Sequence, residues 1–513
     1  MLLRPDGGRF GLPAVAPGNG LSGARHVALF LYNLPVAEEP VVSERDAASS
    51  YLATRREMLV SLAGDIWAHP QVGFEETYAA GRHAAALEAE GFRLRRAVAG
   101  LKTAFVAEWG TGAPVIGILG EYDALPGLSQ EVSATRHPVV ASAPGHACGH
   151  NLLGTAALGA ALAAKHAMET GGIPGTVRYF GCPAEETLMG KVFMAREGVF
   201  DGLGAVLTWH PMHVNTLWAA SSAALNSFKL SFHGRSAHAA GAPESGRSAL
   251  DAIMLTDVGV NYLREHVIPD ARIHCVVTYG GEAPNIVPAY AQSWYYVRAP
   301  KRTQVEAIYE RVLNVARGAA LMTETTLETE LVTACYDFLP NGAIQQMLLR
   351  NMKRVGAPVF SEGDVSFARE LQATLPAGAV DDALQSLGRT RDEVGDPLCG
   401  AILDEVGTLR KGTVQPVSTD VGDVSYIAPT AQLTACCLPL GVPLHSWQAV
   451  ASCGSRIGFT SMLFVARVLA LTVLDLLGDP AVLSEARREH DLATGGRPYH
   501  SPIPAALKAP GQS

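Results

Sequence analysis

The residues of this 513-residue chain whose types and spacing could do chemistry sit at the ends of short apolar runs. Ile118-Leu-Gly-Glu-Tyr-Asp123 ends in acids and Phe180-Gly-Cys-Pro-Ala-Glu-Glu186 in paired glutamates. Leu207-Thr-Trp-His210 and Leu440-Gly-Val-Pro-Leu-His445 each end in a histidine, and His146-Ala-Cys-Gly-His150 adds a thiol and an imidazole. Thiolate, imidazole and carboxylate together suit divalent ions such as zinc or manganese, and a carboxylate-rich set leans away from a purely structural zinc. An open position on such an ion would activate water. The same residues also allow a thiol hydrolase, with Cys148 as nucleophile and His150 or His210 as base. Taken singly, a histidine at a strand end or a buried cysteine is usually structural. The five pieces in one chain point to a site.

For these side chains to meet, the runs must be neighbouring strands of one sheet. In open α/β sheets the carboxyl ends of the strands gather on one edge, where ligands bind. From about 52 to 220, runs such as Pro114–Leu119, Thr176–Phe180 and Ala205–Thr208 alternate with helical segments, the pattern of an α/β layer with a largely parallel sheet. Leu152–Met168, rich in Ala and Leu, predicts a helix with Asn151 as its N-cap. Cys148 and His150, two apart, would point the same way if their loop is extended.

Residues 223–333 read as a strand (Asn226–Phe232), a helix (Ser248–Leu263), two strands (Arg272–Tyr279, Gln292–Arg298), a helix (Thr303–Arg317) and a strand (Thr326–Val332). That order, β-α-β-β-α-β, is the split βαβ of ferredoxin-like units. Val305, Ile308, Val312 and Val315 fall at helical spacing, so one face of the second helix covers a sheet. The fold class is therefore α/β: a mixed, largely parallel sheet flanked by helices, carrying an inserted ferredoxin-like α+β domain. Mixed α/β pattern resumes after 333, with a Gly/Asp-rich insertion at 390–412, an apolar segment Ala431–Leu440 and a long terminal helix Gly458–Leu477. The expected organisation is an N-terminal extension (1–45), a catalytic domain (46–222 and 334–490), the insert (223–333) and an irregular tail (491–513), without periodicity from Gly495 onward.

Bulk composition narrows the partners. A net charge of -9 offers no basic footprint for nucleic acid or an anionic membrane, which leaves a small molecule as the expected partner. The nearest approach to a membrane span, Ser461–Leu477, is interrupted by Arg467 and Asp475. The Gly/Pro-rich extension has one short apolar stretch, Val27–Leu34, without a cleavage site after it, and is expected to be loosely ordered. The eight cysteines form no C-x-x-C knuckle, and Cys275, Cys436 and Cys437 lie in apolar runs, so buried thiols and a cytoplasmic location are expected.

Gly120-Glu-Tyr-Asp-Ala-Leu-Pro126, Gly145-His-Ala-Cys-Gly-His-Asn151, Cys182-Pro-Ala-Glu-Glu186, Trp209-His-Pro211, Gly234-Arg-Ser-Ala-His238 and Leu444-His-Ser446 resemble, in order, the motifs of the aminoacylase/carboxypeptidase clan of dinuclear metallopeptidases. They are most similar to the amidohydrolase branch that holds auxin-conjugate hydrolases, p-aminobenzoyl-glutamate hydrolase and related dipeptidases. The resemblance covers about residues 52–480. It implies two divalent metal ions, manganese or zinc, held by Cys148, His150, Glu186, His210 and His445, with Glu185 as general base and Asp123 as an outer acid orienting a ligand. It implies that the insert is a lid and dimerisation surface. His238 would stabilise the oxyanion in the partner subunit's site, and Asn285 and Arg298 would hold the substrate's carbonyl and carboxylate.

The implied reaction is hydrolysis of the amide of a small N-acyl amino acid, dipeptide or aroyl-glutamate, by a homodimer or by a hetero-oligomer with a related subunit. A relative that only binds a small molecule or a partner chain is the non-enzymatic alternative. Asn151 stands where the branch commonly has a second acid, and Glu121 with Asp123 where it has an Asp-x-Asp pair. Both variants, with Ser418-Thr-Asp-Val-Gly-Asp-Val-Ser425, look like the p-aminobenzoyl-glutamate hydrolase and dipeptidase-like sub-branch.

Overall fold

The computed structural model describes residues 47–510, so the expectations for the extension at 1–45 lie outside the described residues. In chain order the strands begin with β1 (Arg93–Arg96), β2 (Phe105–Thr111), β3 (Val115–Glu121), β4 (Gly175–Cys182) and β5 (Ala205–Met212). Two short strands follow, β6 (Thr216–Leu217) and β7 (Ser221–Ser222), then β8 (Ala224–His233), β9 (Arg272–Tyr279), β10 (Tyr290–Ala299) and β11 (Thr326–Cys335). The last are β12 (Val414–Gln415), which pairs with β7, and β13 (Thr430–Cys436). Seven strands form one sheet in the order β1-β2-β4-β3-β5-β13-β6. Its centre, β4-β3-β5-β13, is parallel and its margins are antiparallel.

The central strands read as continuous apolar runs because both of their faces are covered. Ile116, Ile118 and Tyr179 pack into one core with the helices His150–Gly171 and Arg456–Gly478, whereas Leu119 and Phe180, one residue on, pack into a second core with Val192 and Phe193. Among the described residues one helix, Arg456–Gly478, is long and apolar enough to cross a membrane, and 72% of its most apolar window is buried inside the protein.

The second sheet, β11-β8-β10-β9, is antiparallel throughout, and the helices Ala249–Leu263 and Arg302–Thr323 pack on it in the ferredoxin-like order. Ser248 caps the first of these, accepting the N–H of Asp251 at 3.1 Å. Val305, Ile308 and Val312 are buried on the inner face of the second.

Four expectations need correction. Asn151 is not an N-cap: the helix starts at His150, and the buried Asn151 side chain donates to the carbonyls of Ala63 and Cys453, tying two distant segments together. Cys275 is exposed, because β9 is an edge strand and only its Ile273 is buried. The helix predicted over 458–477 is not the last, since Pro480–Thr494 forms another, and residues 491–494 belong to that helix rather than to the tail. Finally, the Cys148–His150 segment is not strand-like. Gly149 adopts φ 77° and turns the chain into the helix. A Cβ there would lie 2.8 Å from Pro211 Cγ and 3.0 Å from Cys453 Sγ, so both backbone and space demand glycine.

Candidate metal centre

Four chain segments reach the carboxyl edge of the parallel strands. Glu121 closes β3, and Cys182 closes β4 just before Pro183-Ala-Glu-Glu186. His210 stands near the end of β5, opposite Thr434 of β13. His445, with φ 58°, lies in the loop that follows β13. The helix beginning at His150 starts at the same edge and packs along β3 and β4.

Donor atoms there gather in three groups, each with all its members within 4.8 Å of one another: Cys148, His150 and His210; Cys148, Glu186 and His445; and Glu121, His150 and Glu185. The first two share the thiol. Cys148 Sγ lies 3.3 Å from His210 Nε2, and His445 Nε2 lies 3.4 Å from Glu186 Oε2. Asp123 Oδ1 sits 2.9 Å from His150 Nδ1, while its Oδ2 accepts the backbone N–H of Glu186 at 2.9 Å. Cys148, His150 and Glu185 are buried, but the His445 side chain is 52% exposed, so the site opens to solvent on the His445 side.

The donors fit divalent cations. His150 Nε2 and Glu186 Oε1 are buried and have no hydrogen-bond partner, a costly arrangement unless something electropositive faces them. Burial pushes the Cys148 thiol and the Glu185 carboxyl well above their usual ranges, with Glu121 and Asp420 adding to the rise at Glu185. Burial likewise raises Glu186 to about 7 and lowers His210 to about 4. A buried set of acids that disfavours its own negative charges becomes favourable once positive charge enters it.

The turn that carries the two glutamates is held from below. Ala184, at φ 55°, donates its N–H to Glu76 Oε1 at 2.7 Å, and the Thr103 hydroxyl donates to Glu76 Oε2 at 3.0 Å. The motif reading missed Glu76. It also missed the fully buried Lys191, whose Nζ lies 2.7 Å from Glu121 Oε1 and 2.5 Å from Asp420 Oδ1. A lone lysine in the apolar stretch Gly190-Lys-Val-Phe-Met194 was the available signal.

The insert's candidates lie elsewhere. His238 is exposed and joins none of the three donor groups; its Nδ1 accepts the N–H groups of Ala240 and Gly241 at 3.3 and 3.1 Å. Asn285 is exposed in the β9–β10 loop, its carbonyl accepting the Ala239 N–H at 3.0 Å. Arg298, near the end of β10, donates to the Pro416 carbonyl at 3.2 Å and lies 5.7 Å from the Tyr296 ring centre, and its buried Nε has no partner.

Comparison with known proteins supplies the context. Residues 222–322 match the peptidase dimerisation domain of the M20 family. The chain is 42% identical over 457 residues to one of the p-aminobenzoyl-glutamate hydrolase subunits of Escherichia coli strain K12, covering 88% of this chain and 95% of that protein. This chain belongs to the M20 peptidase family. A second relative, the Xaa-Arg dipeptidase of Mus musculus, is 29% identical over 480 residues, 89% of this chain and 96% of its own. A dinuclear metal-binding peptidase of the M20 family from Bacillus subtilis shares the fold, with a TM-score of 0.50 at 18% identity over 82% of this chain and 99% of that one. The M20 chain described here is accordingly a hydrolase, with a dimerisation domain and donor groups able to hold metal.

Proposed function

We propose that this enzyme hydrolyses the amide bond of a small substrate that ends in a carboxylate, an aroyl-glutamate such as p-aminobenzoyl-glutamate or a dipeptide, using two divalent cations, manganese or zinc. The reading rests on one observation: two donor groups share Cys148, while the carboxylate next to the donor Glu186 belongs to neither of them. Cys148, His150 and His210 would hold one ion, and Cys148, Glu186 and His445 the other. Ions bound there supply Lewis-acid charge that makes water a stronger acid and a carbonyl carbon a better electrophile.

The chain's own residues do the rest. Asp123 fixes the tautomer and orientation of His150 through Nδ1, leaving Nε2 to face the site. Glu185, buried beside Glu121 and His150, takes a proton from the attacking water as the C–O bond forms and delivers it to the nitrogen as the C–N bond breaks. Arg298, with an unsatisfied buried Nε, suits the substrate carboxylate. Asn285 suits the carbonyl, and His238, outside its own chain's donor groups, would reach the partner subunit's site to stabilise the oxyanion.

Dimerisation through the insert is supported by the free edge of β9 and by apolar side chains left exposed beside it. Val276 and Val277 on β9 are 56% and 45% exposed, and Met254, Val258 and Tyr262 on the neighbouring helix are 55%, 52% and 77% exposed. The E. coli relative is itself named as one subunit of a hydrolase whose other named subunit is also similar to this chain, which keeps pairing with a related chain as the alternative to a homodimer. The eight unpaired thiols suit a reducing, cytoplasmic setting.

A panel of aroyl-glutamates, N-acyl amino acids and dipeptides, assayed after chelation and after return of manganese or zinc, tests the reading. Activity lost to chelator and regained with metal supports it. Activity indifferent to chelator favours the thiol reading with Cys148 as nucleophile. In the Cys148→Ser variant, partial recovery at excess metal distinguishes a ligand from a nucleophile, because a hydroxyl is a poorer but possible donor.

A further inference from the structure

The third donor group, Glu121, His150 and Glu185, overlaps the first. His150 has one lone pair to give, since Nδ1 faces Asp123 at 2.9 Å and only Nε2 looks into the site. That nitrogen lies 3.4 Å from Glu121 Oε2 and 3.9 Å from Glu185 Oε2, and His150 also belongs to the group with Cys148 and His210. One nitrogen serves one cation, so the two groups compete for it. Two buried carboxylates ought to win against a thiol and an imidazole for a hard divalent ion, and winning would consume Glu185 as a ligand.

Glu121, however, already has a cation. Its Oε1 lies 2.7 Å from Lys191 Nζ, and that lysine is anchored twice on Asp420: the ammonium is 2.5 Å from Oδ1 and the backbone N–H donates to Oδ2 at 2.8 Å. Lys191, Glu121 and Asp420 are 0%, 2% and 0% exposed, so neither water nor salt screens the ammonium from the two acids. A lysine buried this deeply persists only when its charge is paired, and this one is paired at the carboxylate that lies nearer to His150 Nε2 of the two in the third group.

Building on the proposed two-ion site, we propose that the Lys191 ammonium is the fixed cation of the third donor group, and that by holding Glu121 it directs His150 to Cys148 and His210 and leaves Glu185 unliganded. Lys191 is thus a positioning residue that decides where the first ion sits.

Cobalt(II) added to metal-free protein reads this directly, because a thiolate ligand gives a near-ultraviolet charge-transfer absorption that oxygen and nitrogen ligands lack. Two variants make the comparison fair: Lys191→Met/Asp420→Asn and Lys191→Met/Glu121→Gln. Each removes the same ammonium and one carboxylate charge, and they differ only in whether Glu121 or Asp420 is left bare. With Glu121 bare, one ion moves off Cys148, so the thiolate absorption per chain falls to about half. Turnover falls about tenfold or more with KM little changed. With Asp420 bare, the absorption stays at the wild-type level. Equal absorption in the pair overturns the proposal.

A second test spares the lysine. Glu121→Gln alone keeps the Lys191–Asp420 pair and is expected to bind the wild-type amount of cobalt with undiminished thiolate absorption. Loss of a cobalt ion per chain would make Glu121 a ligand and overturn the proposal even if the double variants fail to fold. If the wild-type protein shows no thiolate absorption, it is the reading of Cys148 as a ligand that fails instead.

Discussion

The carboxylate of Asp123 lies 2.9 Å from Nδ1 of His150, with both side chains fully buried. Its second oxygen takes the backbone N–H of Glu186, so one acid orients a donor of the first group and anchors the backbone of a donor of the second. Asp123→Asn keeps the shape but weakens the hold on the imidazole N–H. Metal affinity is expected to fall about 10–100-fold, the usual effect of losing an outer partner of a ligating histidine, as measured by titrating metal into chelated protein. Unchanged affinity would mean that His150 does not depend on this contact.

Glu185 is expected to move a proton and not to hold metal. Glu185→Gln should therefore retain bound metal while turnover falls by about a hundredfold or more. Metal content by elemental analysis, set beside turnover, checks this. Lost metal with preserved activity would exchange the roles of Glu185 and Glu186.

His238 joins no donor group of its own chain. If it serves the neighbouring subunit, His238→Ala and Glu185→Gln proteins are each nearly inactive alone, yet a mixed dimer holds one site with both residues intact. Mixing them under conditions shown to exchange subunits should restore activity, up to about half of wild type per mixed dimer. No recovery would confine His238 to its own chain or leave it without a catalytic part.

Asp423 offers a test of stability away from the donors. Burial raises its carboxyl to about 7, although the Tyr499 hydroxyl and the Tyr336 N–H donate to it at 2.7 and 3.0 Å. Between the unfolded value, about 4, and 7, the folded chain binds the extra proton, so stability falls as pH rises through that window and levels off above it. The full effect of a shift this size is about 4 kcal/mol. Asp423→Asn, which mimics the protonated form, is expected to gain melting temperature relative to wild type between pH 5 and pH 8. A constant difference across that range would refute this assignment of the slope.

The amino-acid order alone determined the pieces. Apolar runs ending in Asp123, Glu186, His210 and His445, and the 3.6-residue spacing of Val305, Ile308 and Val312, are local patterns, and local patterns specify strands, helices and what stands at their ends. The parallel centre of the main sheet and the ferredoxin-like order of the insert follow from the same alternation. What only the tertiary structure decided is which pieces touch. Lys191 meets Asp420 across 229 positions and Ala184 meets Glu76 across 108, separations over which no periodicity carries information. Whether Cys275 is covered depends on β9 being an edge strand, and whether Asn151 caps or crosslinks depends on what packs around the start of its helix. The sharing of Cys148 between the first and second donor groups and of His150 between the first and third is likewise a property of the assembled edge, since loops of any length can bring the same strand ends together.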